Sequence, residues 1–384
     1  MEHMLKGMRI LDFSHYIPGP FASMRLGDLG AEVIKVEPLT GDLSRSATSD
    51  SNERDSVFQA YNRNKKSLAV NLKSEEGVEM VRDLIQHADI VIESFRPGVM
   101  KRLGLDYDTV SKWNTELIYC SLSGYGQVGA LSQFGSHDIN YMALSGMLSQ
   151  LKDRTGRPIH PSITLADLIG GLAATESILA AYISREKTGE GSYIDSSILD
   201  SMLSLTQLHM LNIQYADEHQ GLTSLNGELV SYSIYETADN RYVSFAALEP
   251  KFWETFCEKV GREDWISYQF TKKDSDDPFV QDIIKLFKSK TFQQWEAFSS
   301  QVDCCLTPIY EMEEVLTKPY VKERMIQEKD SAGIVHVASR YHAQKNQREV
   351  WFPGLGEQTE GILSDLLCYP EEKIETMKER MIIL

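Results

Sequence analysis

Residues 9–122 alternate short apolar runs with amphipathic segments, and this alternation limits the fold more than any other feature of the chain. Residues 9–13 read as a strand, 21–29 as a helix and 32–36 as the next strand. Residues 68–72 are extended, 75–87 read as a helix, and 89–93 and 117–122 as further strands. Strands joined through helices run parallel, because each crossover returns the chain to the same end of the sheet. The expected class is α/β: a Rossmann-like large domain with a parallel sheet over residues 1–200.

The texture changes further on. Residues 165–185 and 198–215 read as long helices, separated by the turn formers Lys187-Thr188-Gly189-Glu190-Gly191-Ser192. Segments 201–224 and 326–329 are expected linkers. Strand-like residues 230–236, the turn Ala238-Asp239-Asn240-Arg241 and strand-like residues 242–247 open a smaller α+β domain over 225–325. Residues 330–384 return to the large domain, with a helix-forming tail from Pro353. The most apolar stretch, 165–183, carries Asp167 and Glu176 and reads as a buried helix rather than a membrane span.

The chain has 56 acidic and 39 basic residues, a formal charge of −17, which argues against nucleic-acid or anionic-membrane binding. Five cysteines with no C-x-x-C suit a reducing, cytoplasmic setting and argue against a disulfide framework or a zinc site. The opening residues 1–6 hold no long apolar run, so no signal peptide is expected.

The first strand–helix–strand unit has the length of a dinucleotide-binding motif, and Glu37 ends its second strand where a ribose would be held. Its loop, Ser14-His15-Tyr16-Ile17-Pro18-Gly19-Pro20, lacks the G-x-G-x-x-G that lets a pyrophosphate approach, which argues against NAD. Pro20 fits the first turn of the helix that follows. Two basic segments flank strand ends: Asn62-Arg63-Asn64-Lys65-Lys66 with Lys73, and Phe95-Arg96-Pro97-Gly98 running to Lys101-Arg102. Arg96 and Arg102 can pair with phosphates and Phe95 can support an adenine, or both segments are solvated charged faces.

Three residues can do chemistry. His137 stands at a loop–helix junction, as a structural residue or as a general base. Asp167, in Leu165-Ala166-Asp167-Leu168-Ile169-Gly170-Gly171, is a helix cap or a buried carboxyl of raised pKa. Glu249 precedes Pro250 and a helix, where capping is the structural alternative.

With these residues in view, the chain resembles the family III CoA-transferases, the CaiB/BaiF family, and within it the α-methylacyl-CoA racemases. The likeness runs nearly end to end through Arg9-Ile10-Leu11-Asp12-Phe13, Pro18-Gly19-Pro20, Gly30-Ala31-Glu32-Val33-Ile34-Lys35-Val36-Glu37, Phe95-Arg96-Pro97-Gly98, Ser123-Gly124-Tyr125-Gly126, Leu165-Ala166-Asp167, Lys187-Thr188-Gly189-Glu190-Gly191 and Gly354-Leu355-Gly356-Glu357. The resemblance implies an interlocked homodimer and a CoA thioester as substrate, with no metal. It places CoA at Lys73, Phe95, Arg96 and Arg102, and chemistry at Asp167. In the family's transferases the matching Asp takes the acyl group as a mixed anhydride before CoA passes to an acceptor acid. In its racemases the Asp shares proton transfer with a His, here His137, held by a Glu, here Glu249. All three racemase positions are filled, so racemase chemistry is the leading expectation and CoA transfer the alternative. Main-chain N–H groups near Asp167 and Gly170 are the expected donors to an enolate oxygen.

Overall fold

The N-terminal apolar runs pair as parallel strands of one six-stranded sheet. The computed structural model describes residues 4–46, 56–153, 155–324, 327–337 and 350–384, so the expected linker position 326 lies outside the described residues. Two compact units emerge: Met1–Leu205 with Lys322–Leu384, and Thr206–Val321.

In the larger unit the chain runs β1 (Arg9–Asp12), α1 (Pro18–Asp28), β2 (Glu32–Glu37), α2 (Ser56–Asn62), β3 (Lys66–Ala69), α3 (Glu75–Gln86) and β4 (Ile90–Glu93). It continues with α4 (Val99–Leu103), α5 (Tyr107–Val110), β5 (Ile118–Ser123), α6 (Asp138–Leu144), α7 (Leu165–Thr188), β6 (Ser192–Ser197) and α8 (Ile198–Ser204). The strand order β3-β2-β1-β4-β5-β6 reverses direction between β1 and β4. At such a switch point the crevice beyond the strand carboxyl ends is the natural ligand position.

Both sheet faces are covered, as a parallel sheet requires. On one face Leu11, Val36, Leu68 and Val91 pack with Met80 and Leu84 of α3. On the other, Ile10, Ile90, Ile92 and Ile118 pack with Leu26 of α1 and with Ala174 and Ile178 of α7.

Three expectations need correction. The stretch 187–192 is not simply a turn between two helices: Gly189, at φ 71°, closes α7, and Ser192 begins β6. β6 pairs with β5 alone, so its exposed Tyr193 and Asp195 disguise it as loop in the sequence. The single helix expected over 198–215 is two, broken after Ser204, and the second of them fills much of the expected linker 201–224. Finally, α7 is buried on one side only. Among the described residues it alone has the length and apolarity to cross a bilayer, with mean hydropathy 1.3 and 33% of that window buried.

The smaller unit holds α9 (Gln207–Ala216), β7 (Tyr232–Glu236), β8 (Tyr242–Ala246), α10 (Pro250–Lys259), α11 (Pro278–Lys288), α12 (Phe292–Ser299), β9 (Leu306–Pro308) and α13 (Met312–Val315). Antiparallel β7-β8-β9 packs on an aromatic core that includes Phe245, Trp253, Phe256, Phe287 and Trp295. Asn240, at φ 58°, makes the expected hairpin turn. The chain ends with α14 (Pro319–Glu323), the pair β10 (Gln327–Lys329) and β11 (Val335–Val337), α15 (Thr359–Leu367) and α16 (Glu371–Glu379). Ile362, Leu363 and Ile374 of the tail join the core of the large unit.

Candidate active site

Asp167 is not a helix cap. Thr164 holds the N-cap of α7, and Asp167 is the third residue of its first turn. A carboxylate there is favoured by the helix dipole, yet burial pushes the Asp167 carboxyl up to about 7, and the charge of Asp138 adds to the rise. Asp138 opens α6, is buried, and accepts the Asp167 main-chain N–H at 3.0 Å. The N-termini of α6 and α7 therefore converge, and His137, the exposed N-cap of α6, stands beside this junction. The Asn140 side chain accepts the His137 main-chain N–H at 3.0 Å and fixes the turn.

Burial raises the phenols of Tyr61 and Tyr141, and the charge of Asp167 adds to the rise in both. Tyr141 accepts from the Ser136 hydroxyl at 2.7 Å. Gly170 and Gly171 bring α7 close to its neighbours. A β-carbon on Gly171 would stand 2.6 Å from the Pro18 carbonyl oxygen, and one on Gly170 2.8 Å from Ile198. Helix α1 begins at Pro18, earlier than expected, which leaves Pro20 in its first turn.

The expected enolate donors are not free. The Asp167 N–H is taken by Asp138. Gly170 is the sixth residue of α7, where the amide belongs to the helix ladder. Glu249 lies in the unit Thr206–Val321, exposed at the N-cap of α10.

The two basic segments part company. Lys65 is buried, donating to Asp12 at 2.9 Å, the Pro20 carbonyl at 3.0 Å and Asn62 at 2.7 Å. Burial, outweighing the pull of Asp12, brings its ammonium down to about 8. Arg63 pairs with Asp28 and Lys66 with Glu32. Arg63, Lys65 and Lys66 are therefore committed to carboxylates within the fold rather than offered to an anion. Glu37 is likewise committed: it accepts from Arg45 at 2.7 and 2.8 Å, from Ser67 at 2.6 Å and from the Asp42 amide at 2.9 Å, which leaves no acceptor for a ribose. Sequence reasoning missed Lys35, whose ammonium is buried between the Asp42 carboxylate and the Ser14 carbonyl, each at 2.7 Å.

Lys73, Arg96 and Arg102 are exposed, and among the described residues no carboxylate pairs with them. A cleft of about 480 Å³ opens at the carboxyl ends of β1 to β4, lined by His15, residues 36–40, residues 70–73, Phe95 and Leu103. The Phe95 ring meets the His15 edge at 5.5 Å across the switch point. Arg96, on the same loop, reaches toward the His137 segment, with a guanidinium nitrogen 3.0 Å from where a β-carbon on Gly135 would stand. The arrangement offers an apolar, cation-edged cleft and, on the same unit, a carboxyl that exchanges its proton near neutrality. Among the described residues no group of three or more His, Cys, Asp or Glu side chains could hold a metal.

The model of CoA-transferase family III matches residues 5–359. The succinyl-CoA:glutarate CoA-transferase of Mus musculus is 32% identical over 97% of this chain and 88% of its own. The α-methylacyl-CoA racemase of Mus musculus is 31% identical over 99% and 97%. A CaiB/BaiF family protein from Brucella suis superposes with a TM-score of 0.81 at 25% identity, covering 95% of this chain and all of that one. The chain belongs to CoA-transferase family III and is an acyl-CoA enzyme of the CaiB/BaiF type.

Proposed function

We propose that the chain is an α-methylacyl-CoA racemase or epimerase, moving the proton on the carbon beside the thioester carbonyl. Lys73, Arg96 and Arg102 take the phosphates of CoA, and the Phe95 ring supports its adenine. Asp167 exchanges a proton on one face of the α-carbon and His137 on the other. The observation that carries this reading is the Asp167 carboxyl, lifted by burial to about 7 at the junction where His137 stands. A carboxyl of ordinary acidity would hold no proton to return at neutral pH, whereas this one both accepts and releases. The near full-length likeness to an α-methylacyl-CoA racemase supports the same chemistry.

The equally strong likeness to a succinyl-CoA:glutarate CoA-transferase favours one other reading. There the Asp167 carboxylate attacks the thioester carbonyl and expels CoA thiolate. The thiolate attacks the Asp167 carbonyl of the resulting anhydride and releases the donor acid. The acceptor carboxylate then displaces the thiolate from Asp167, and the thiolate attacks the acceptor's acyl carbon, which frees the Asp167 carboxylate. Incubation with a 2-methylacyl-CoA in heavy water decides between them by mass spectrometry. Deuterium at the α-carbon is expected, abolished by D167A and slowed at least ~100-fold by H137A. No exchange, together with CoA transfer to added acids and an acyl group on Asp167 that hydroxylamine traps, overturns the racemase reading.

An interlocked homodimer completes the proposal. Helix α9 buries none of its residues, and its Leu208 and Met210 are 50% and 42% exposed. Such apolar surface is what a partner subunit covers. Sedimentation at twice the chain mass is expected, and a monomer at working concentration would refute it.

A further inference from the structure

Glu93 ends β4, the strand that leads into the Phe95–Arg96 loop, and it is 4% exposed. One carboxylate oxygen accepts the Phe95 main-chain N–H at 2.8 Å. The Ser121 side chain, from the neighbouring β5, also bonds it. Burial, against these two bonds and with the Asp195 charge behind it, pushes the Glu93 carboxyl up to about 7. No salt bridge among the described residues involves it. A buried carboxyl without a cation is expensive to keep, and nothing in the proton-transfer scheme uses this one.

The geometry shows what it does hold. The loop after β4 is fixed at three points: Glu93 takes the Phe95 amide, Ser94 Oγ takes the His15 amide at 3.0 Å, and the Arg96 carbonyl takes the Val99 amide at 3.1 Å. The Phe95 ring, set in this way, forms a wall of the cleft and rests against His15. We propose that Glu93 is a positioning residue for ligand binding, presenting the Phe95 ring to the adenine of a bound CoA through its bond to the Phe95 amide. This rests on the reading of the cleft as the nucleotide end of the CoA site.

The test is equilibrium binding of adenosine 3′,5′-diphosphate and of CoA to the full chain, by calorimetry, so that it does not depend on which reaction is catalysed. E93A is expected to weaken both ligands by the same ~10-fold, the loss of one buried hydrogen bond. E93Q, which keeps an acceptor oxygen, is expected to recover most of that loss. Because Glu93 acts through the ring, E93A added to F95A is expected to cost less than ~2-fold more. A merely structural role predicts full additivity instead, and that result overturns the proposal. So does unchanged binding in folded E93A. Should E93A not fold, E93Q alone decides: a ~2- to 3-fold weakening that disappears in the F95A background supports the proposal, and any other result refutes it. A wild-type chain that binds CoA but not adenosine 3′,5′-diphosphate brings down the reading of the cleft itself, and the role of Glu93 with it.

Discussion

The main-chain N–H of Asp167 donates to the Asp138 carboxylate at 3.0 Å, so one side chain both pins the first turn of α7 and sets a negative charge against the Asp167 carboxyl. Burial is the larger cause of the raised pKa and Asp138 the second. The residue that anchors the site therefore also tunes it.

D138N separates these two roles. Asparagine keeps an acceptor oxygen for the Asp167 amide but removes the charge. Loss of a neighbouring negative charge favours ionisation, so the Asp167 pKa falls from about 7. The acid limb of kcat/KM for α-proton exchange is expected to move to lower pH by up to ~1 unit. A limb that stays in place would remove Asp138 from the control of Asp167.

Asp167 should make the fold less stable at alkaline pH. Its carboxyl has an ordinary value of 3.8 when unfolded and is pushed up by burial to about 7 when folded. Between those values the folded chain holds a proton that the unfolded chain has released. Stability therefore falls as pH rises through this window and is level above it. D167N removes the ionisable group, so urea unfolding at pH 8 is expected to show it ~1–3 kcal/mol more stable than wild type, after allowance for partial solvation. The gain should be smaller at pH 5. A variant equally stable at both pH values would show that Asp167 is not strained by its surroundings.

Beneath the cleft, Asp12 and Lys65 depend on one another. Burial opposes ionisation of Asp12, but Lys65, Lys35, Ser14 and Ser23 hold its carboxyl well below the usual range. K65A strands a buried carboxylate and is expected to destabilise the chain by ~3–5 kcal/mol. Adding D12N removes the stranded charge, so the double variant should be more stable than K65A alone when both are unfolded in urea. Simple addition of the two losses would contradict this pairing.

The parts of the fold visible in the sequence are those where burial is one-sided or complete. The Ile90-Val91-Ile92 run is buried on both faces and reads as a strand without ambiguity. β6 is an edge strand of Ser, Tyr, Ile and Asp with no comparable apolar run, and it hides in what reads as a turn. Asp167 stands out in the sequence because a carboxylate among apolar residues near two glycines is unusual. Its partner Asp138 is adjacent to His137 in the sequence, but only the convergence of α6 and α7 connects it to Asp167. The same limit applies to the basic segments: Lys65 and Lys73 look alike in sequence, yet one is buried on Asp12 and the other edges the cleft. Charge is a property of composition, but availability depends on pairing across the sheet.

The glycines after Asp167 show how backbone approach sets the position of the site. A β-carbon on Gly171 would meet the Pro18 carbonyl at 2.6 Å and the Phe21 ring at 2.9 Å, both on α1. The Pro18 carbonyl is backbone and cannot yield without α1 and α7 moving apart, and Asp167 lies one turn earlier on that same helix. G171A is therefore expected to lose ~1–3 kcal/mol of stability, and activity in addition, because the carboxyl moves with its helix. Gly361, inside α15, is the control: nothing lies within 4 Å of its would-be β-carbon. There alanine only improves helix propensity, so G361A is expected to gain up to ~1 kcal/mol with activity unchanged. Urea unfolding of the two variants side by side, with α-proton exchange as the second readout, checks the contrast. Equal behaviour would mean that the close approach of α7 to α1 does not position Asp167.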